Sequence, residues 1–280
     1  MRDNAADALL ARWRSDLAAW AIPEHISAAA TESPWVLPRQ MFARRADRVA
    51  AMPAGPSYER ARAALDPPGS VLDVGSGAGA ACLPLLPRCT ALTAVDSDRG
   101  MLAMLGERAT AAGLTPTLVQ GSWPEAAGEA GHADVVTCHH VVYNAPEIEP
   151  FLAALTAAAR RLVVVELTAA HPLTSLNDLW LRFHGLRRPD GPTADDLLAI
   201  LAAIGIEASH ERWRRDTGND HPSFAALVDV TRRRLCLPAE RSAEVARALE
   251  ESGAGSGRLA DLGTSGRELV TVWWKGRAGG

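Results

Sequence analysis

The chain has 280 residues, 48% of them hydrophobic and 22% charged, with a formal net charge of −4 and a pI near 6.1. These values suit a soluble globular protein with a core large enough to need no staples, and they give no general attraction to nucleic acid or to an anionic membrane. Cys82, Cys89, Cys138 and Cys236 form no Cys-x-x-Cys pair, so neither a disulfide framework nor a zinc site is expected.

The N-terminal "MRDNAADALLARWRSDLAAW" has acidic residues and an amphipathic pattern, unlike a signal peptide or a membrane span, and the cytoplasm is the expected compartment. Leu9, Leu10, Trp13, Leu17 and Trp20 recur at helical spacing and predict a helix over 5–21. Short helices follow, broken at Pro23, Pro34 and Pro38. "DPPGS" (66–70) then separates an N-terminal helical cap, residues 1–68, from the remainder, 69–280. From Val71 the texture changes. Strands are expected near 71–74, 92–96, 116–119, 134–139 and 161–167, with helices near 79–86, 99–112 and 148–160. Such alternation predicts an α/β fold with a mostly parallel sheet and helices on both faces. "PTADDLLAILAAIG" (192–205) reads as a helix capped by Thr193 with Asp196 and closed by Gly205. "IEASHERWRR" and "ELVTVWWKG" read as two last strands, flanking an insertion at about 217–266 that includes the Gly/Ser-rich "ESGAGSGR".

"VLDVGSGAGAACLPLL" (71–86) is a strand, a glycine turn and the start of a helix. Gly75-x-Gly77-x-x-Ala80 fits the loose dinucleotide pattern, and Asp96 sits where a ribose-binding carboxylate belongs, so a nicotinamide nucleotide and S-adenosylmethionine both remain open on the loop alone. The surroundings favour the second. Asp73 lies inside the strand, where a dinucleotide site usually has an apolar residue. The third glycine, Gly79, comes early. A carboxylate beside the loop suits a ligand bearing an ammonium group.

At this point the sequence resembles the class I S-adenosylmethionine-dependent methyltransferases. "VLDVGSGAGA" looks like their first motif and "LTAVDSDRGML" like their second strand; "LVQGSWPE", "ADVVTCHHVVYN" and "RRLVVVEL" resemble the segments that follow, in order. The resemblance implies a Rossmann-like seven-stranded sheet ending in an antiparallel hairpin, with S-adenosylmethionine as the cofactor. It implies a cofactor site from Asp73, Gly75, Ser76, Gly77, Gly79, Asp96, Ser97, Met101, Ser122, Trp123 and His139. Asp96 would be the ribose acid, Met101 would lie near the adenine, and Trp123 would stack on the ring where many relatives carry an acidic residue. No Asn/Asp-Pro-Pro-aromatic motif is present, which argues against methylation of DNA amines.

His139 and His140 follow the fourth strand at the cofactor's mouth, and neighbours on a strand face opposite ways, so at most one faces the acceptor and a metal site from the pair is not expected. His139, His140 and Tyr143 are the candidate catalytic residues, a base being needed only if the nucleophile arrives protonated. Asn144, His171, Trp180 and His184 are candidates to shape the acceptor pocket, and the segment with Trp35, Met41, Phe42, Arg44 and Arg45 is a candidate lid. A small-molecule acceptor at oxygen or nitrogen is expected. The alternatives are an RNA methyltransferase using Arg212/Arg214/Arg215 and Arg232–Arg234, an NAD(P)-dependent oxidoreductase, and a non-catalytic binding module. The arginine clusters are expected on a solvated face.

Overall fold

The computed structural model of the protein describes residues 4–215, 221–252 and 267–277. Four helices come first: α1 (Asn4–Ala18), α2 (Glu24–Ser27), α3 (Arg39–Ala51) and α4 (Pro56–Ala64). Then follow β1 (Gly69–Val74), β2 (Cys89–Asp96), α5 (Arg99–Ala111), β3 (Thr117–Gln120), α6 (Ala127–Ala130), β4 (Ala133–His139), α7 (Ile148–Ala158) and β5 (Ala159–Thr168). The chain continues through α8 (Asn177–His184), α9 (Ala194–Ala203), β6 (Ser209–Arg214), α10 (Phe224–Arg234), α11 (Ser242–Glu251) and β7 (Glu268–Lys275).

The strands form one seven-stranded sheet in the order β3-β2-β1-β4-β5-β7-β6. The first five are parallel, and β7 runs antiparallel between β5 and β6. Alternation along each strand sends neighbours to opposite faces. Leu72, Val136 and Val163 join the core beneath α1, α7 and α9, whereas Val71, Val135 and Val164 join the core beneath α3, α4 and α5.

One expected helix did not form. Residues 79–86 make turns and then a 3-10 helix, Leu83–Arg88, because Pro84 and Pro87 each lack the N–H that a continuing α-helix needs. The helix at 192–205 is present as α9, with a Thr193–Asp196 capping box. Within the expected insertion, α10 and α11 pack with α8 and Ile26 into a third core built on Leu176, Trp180, Leu227, Leu235 and Val245. Most of "ESGAGSGR" lies outside the described residues.

The N-terminal helices are attached in two ways. Trp13 of α1 is 1% exposed, donates from Nε1 to the Ala145 carbonyl at 2.9 Å, and stacks on Tyr143. Trp20 donates to the Gly191 carbonyl and stacks on His171 with ring centroids 4.2 Å apart. By contrast, α3 buries only small residues, Ala43 and Ala46, in the core it shares with α5, and adds two surface ion pairs, Arg39–Asp98 at 2.9 Å and Arg108–Asp47 at 2.6 Å. Indole burial stabilises a contact by several kcal/mol, exposed pairs by about 0–1 kcal/mol.

Candidate active site

At the carboxyl ends of β1, β2 and β4, where an open parallel sheet places its ligands, lies a cavity of about 570 Å³. The glycine turn forms its floor. Gly75, Gly77 and Gly79 all have positive φ, but for different reasons. A Cβ on Gly75 would strike Val141, and one on Gly79 would strike Leu83. A Cβ on Gly77 would meet nothing within 4 Å, so this is the position whose bare backbone faces open space. Gly79 does not line the cavity. Its early position in the motif serves packing against Leu83, a correction to its expected place in the cofactor wall. Asp73, Gly75, Ser76, Gly77, Asp96, Ser97, Met101, Ser122, Trp123 and His139 all line it.

Two of the carboxylates here, Asp96 and Asp98, accept from backbone N–H groups. Asp96 accepts from the Gly77 N–H and the Asp98 N–H, both at 2.8 Å. Asp98 caps α5 through the Gly100 and Met101 N–H groups. Asp73 is buried in β1, accepts from the Thr137 hydroxyl at 2.8 Å, and is pushed up to about pKa 6 by burial. Its Oδ2, together with Ser76 Oγ and His139 Nε2, is buried without a partner. Three orphaned polar atoms on residues lining one cavity, beside a bare glycine backbone, fit a ligand with ammonium, carboxylate and ribose groups. Trp123 lines the same space, but its Nε1 donates to the Phe151 carbonyl at 3.2 Å, which fixes the indole edge.

Both histidines line this cavity: His139 ends β4, whereas His140 lies past the strand in a left-handed backbone conformation, so strand alternation does not govern the pair. His139 is held neutral, its pKa pushed down to about 4 by burial. His140 has φ +62 and places Nε2 3.0 Å from Glu166 Oε1. Glu166, on β5, is 1% exposed and also accepts from Arg215 Nη2 at 2.7 Å. Burial would raise its pKa, but Arg215, His139 and His140 outweigh burial and hold it well below the usual range. An ionised carboxylate only accepts, so His140 Nε2 carries the proton and Nδ1 is the basic atom. Burial lowers the His140 pKa even with Glu166 beside it, which leaves the ring neutral near pH 7.

Sequence reading did not single out Glu166. The one clue was an acidic residue inside the apolar "RLVVVEL", at a strand's carboxyl end. Arg215 was expected on a solvated face and is instead half-buried against Glu166. Arg232 departs likewise: it is 4% exposed, donates to the Leu237 carbonyl, and pairs with Glu32 and Asp229. Tyr143 is buried, donates to the Thr168 carbonyl at 2.7 Å, and burial raises its pKa. It does not line the smaller cavity.

A second cavity, about 960 Å³, adjoins the first. The two share Trp35, Phe42, Arg45, Asp98, Met101, His140 and Asn144 as walls. Tyr143 and His171 border the second, whereas Trp180 belongs to the third core and meets the His184 ring at a tilt, with centroids 4.8 Å apart. Among the described residues, no group of three or more His, Cys, Asp or Glu side chains is placed to hold a metal ion.

Residues 71–163 match the sequence model of a family described as a methyltransferase domain. Among solved structures, the chain is similar to a cyclopropane-fatty-acyl-phospholipid synthase-like protein from Lactobacillus casei, at 14% identity and TM-score 0.51, covering 90% of this chain and 98% of that one. It is also similar to magnesium protoporphyrin IX methyltransferase from Synechocystis, solved with bound SAH, at 22% identity and TM-score 0.47 over 64% and 78% of the two chains. A cyclopropane synthase from Mycobacterium tuberculosis gives 12% identity and TM-score 0.46 over 78% and 83%. No curated protein sequence matches the chain. The matched domain makes the chain a methyltransferase, and the sheet order with its antiparallel β7 is the fold that the resemblance to the class I S-adenosylmethionine-dependent enzymes implied. A methyltransferase domain on that fold takes S-adenosylmethionine as its cofactor. The nicotinamide and non-catalytic readings are set aside.

Proposed function

We propose that the enzyme methylates an oxygen or nitrogen atom of a small organic molecule held in the larger cavity. One observation carries this reading: two adjoining cavities share His140 and Asn144, one floored by the glycine turn, the other bordered by residues of α1 and α3. In this reading Asp73, Ser76 and His139 hold the amino-acid end of the cofactor, Asp96 the ribose, and Met101 and Trp123 flank the adenine. Bound S-adenosylmethionine supplies an electrophilic methyl carbon on a sulfonium. The chain's own task is to align the acceptor, exclude water and remove a proton. His140 Nδ1 takes that proton. Glu166 orients the ring through Nε2–H and stabilises the imidazolium, and Arg215 keeps Glu166 ionised. Tyr143, with its hydroxyl committed to a backbone carbonyl, is a wall and not a base. Free cysteines suit a reducing compartment, and we place the enzyme in the cytoplasm. Among the described residues, no helix is long and apolar enough to cross a membrane.

RNA is the weaker acceptor. Arg212 pairs with Asp195 and Glu268, Arg215 with Glu166, and Arg233 with Asp229, so these charges are already committed. The deciding measurement uses S-adenosylmethionine labelled in the methyl group, with a cell extract below 1 kDa and with total RNA in separate reactions. Label is expected in the small molecules. Label in RNA alone would overturn the reading. His140→Gln should lower kcat at least a hundredfold with S-adenosylmethionine affinity unchanged.

A further inference from the structure

The run Arg232-Arg233-Arg234 closes α10, and its three members have different fates. Arg232 and Arg233 are both paired with carboxylates. Arg234 lines the larger cavity, and among the described residues it has no carboxylate or hydrogen-bond partner. Its guanidinium sits 6.0 Å from the centroid of the Trp35 ring. Burial and Arg233 both lower its pKa, the mark of a cation whose charge is not compensated. The carboxylate lining this cavity, Asp98, is taken by Arg39 and by the α5 N-terminus.

His171, in the same wall, reports the same field. Burial and then Arg188, Arg234 and Arg267 push its pKa down to about 4, and no acid opposes them. Its Nδ1 accepts from the Leu173 N–H, so Nε2 carries the proton and is a donor. This part of the cavity thus offers a guanidinium and a neutral N–H. Trp20, Trp35, Leu173 and Leu176 supply apolar and aromatic surface around them. Leaving a partly buried cation unpaired is costly, and a bound anion removes that cost.

We propose that the methyl acceptor is an organic acid with a flat apolar body. Its carboxylate or equivalent anion pairs with Arg234, its body lies against Trp20 and Trp35, and its nucleophile reaches the His140 wall. The inference rests on the larger cavity being the acceptor site.

The test uses the full chain saturated with S-adenosylhomocysteine. The probes are two matched pairs, 1-hydroxy-2-naphthoate with its carboxamide and 4-hydroxycinnamate with its carboxamide, titrated by calorimetry. At least one acid should bind at least tenfold more tightly than its amide. Arg234→Gln should abolish that preference without changing amide or S-adenosylhomocysteine affinity, and Arg234→Lys should restore part of it. Absence of any acid preference, including absence of binding, overturns the proposal. So does an Arg234→Gln variant that weakens acid and amide alike, since the arginine then only clamps Trp35. The two readings fail separately. Label entering small molecules while the acids show no preference sinks only the acid, whereas label entering no small molecule sinks the acceptor site as well.

Discussion

The cofactor wall and the acceptor wall of this enzyme are built on different scales of chain. From Asp73 to Met101 a single strand–turn–strand–helix passage supplies most of the first, and its internal contacts are short-range: the Gly77 N–H reaches Asp96 only 19 residues on. The second is stitched from distant segments. Trp13 reaches Ala145 across 132 residues, Trp20 reaches Gly191 across 171, and Arg232 reaches Glu32 across 200. Backbone geometry fixes the cofactor wall, so single glycines and carboxylates matter there. Side-chain anchors fix the acceptor wall, so its shape depends on a few large residues remaining seated.

That contrast can be broken most severely at Trp13. Trp13→Ala should cost about 3–5 kcal/mol of stability, through lost burial and a cavity beside Tyr143. Chemical denaturation would measure this. A cost below 1 kcal/mol would mean that α1 is only an appendage.

The next largest effect lies on the cofactor side and depends on pH. Burial pushes the Asp73 carboxyl up to about 6 in the fold, from the ordinary 3.8 of an exposed aspartate. Its raised pKa means that the charged form is disfavoured by folding. The penalty is absent below pH 4, grows as pH rises to 6, and is full above that, reaching about 3 kcal/mol. Asp73→Asn should therefore raise the melting temperature of the cofactor-free protein at pH 7.5 and leave it unchanged at pH 4. The same variant should bind S-adenosylmethionine more weakly. Equal stabilisation at both pH values would contradict this account.

Gly77→Val tests whether bare backbone is what the cofactor needs. Affinity should fall at least a hundredfold in a protein that still folds, at a strain cost of roughly 1–2 kcal/mol from the positive φ. Normal calorimetric binding would remove the turn from the site. Asp96→Ala should weaken binding about tenfold, since it removes a ribose acceptor and also frees the Gly77 N–H. Smallest of all, Asp47→Asn should change stability by well under 1 kcal/mol and less still in high salt, because its pair with Arg108 is exposed and screened. A larger loss would show that α3 is anchored as firmly as α1.

Legibility followed the same division. The strands, the glycine turn, the Asp96 position and the α9 capping box are local signals, and the structure has them where the sequence pattern put them. The loss of a helix after the turn was written in Pro84 and Pro87 but masked by an apolar run of helical length. Arg215 and Arg232 were misread because a run of arginines looks alike whether solvated or paired. Only the fold brings Glu166, Glu32 and Asp229 to them. Glu166 itself went unnoticed because its partners, His140 and Arg215, lie on other strands or beyond their ends, and no spacing rule joins the three.

The antiparallel β7 has a consequence for how the protein is made. It lies between β5 and β6, yet residues 169–267 are all synthesised before it. Until β7 arrives, the outer edge of β5 presents unpaired N–H and C=O groups along an apolar strand, Val163 to Leu167. β6 meanwhile has no neighbour, since β7 is its one pairing partner in the sheet. A nascent chain halted before Glu268 would hold a formed glycine turn and an open sheet edge together. That is the state in which it would most readily be captured by a chaperone or join another copy edge to edge.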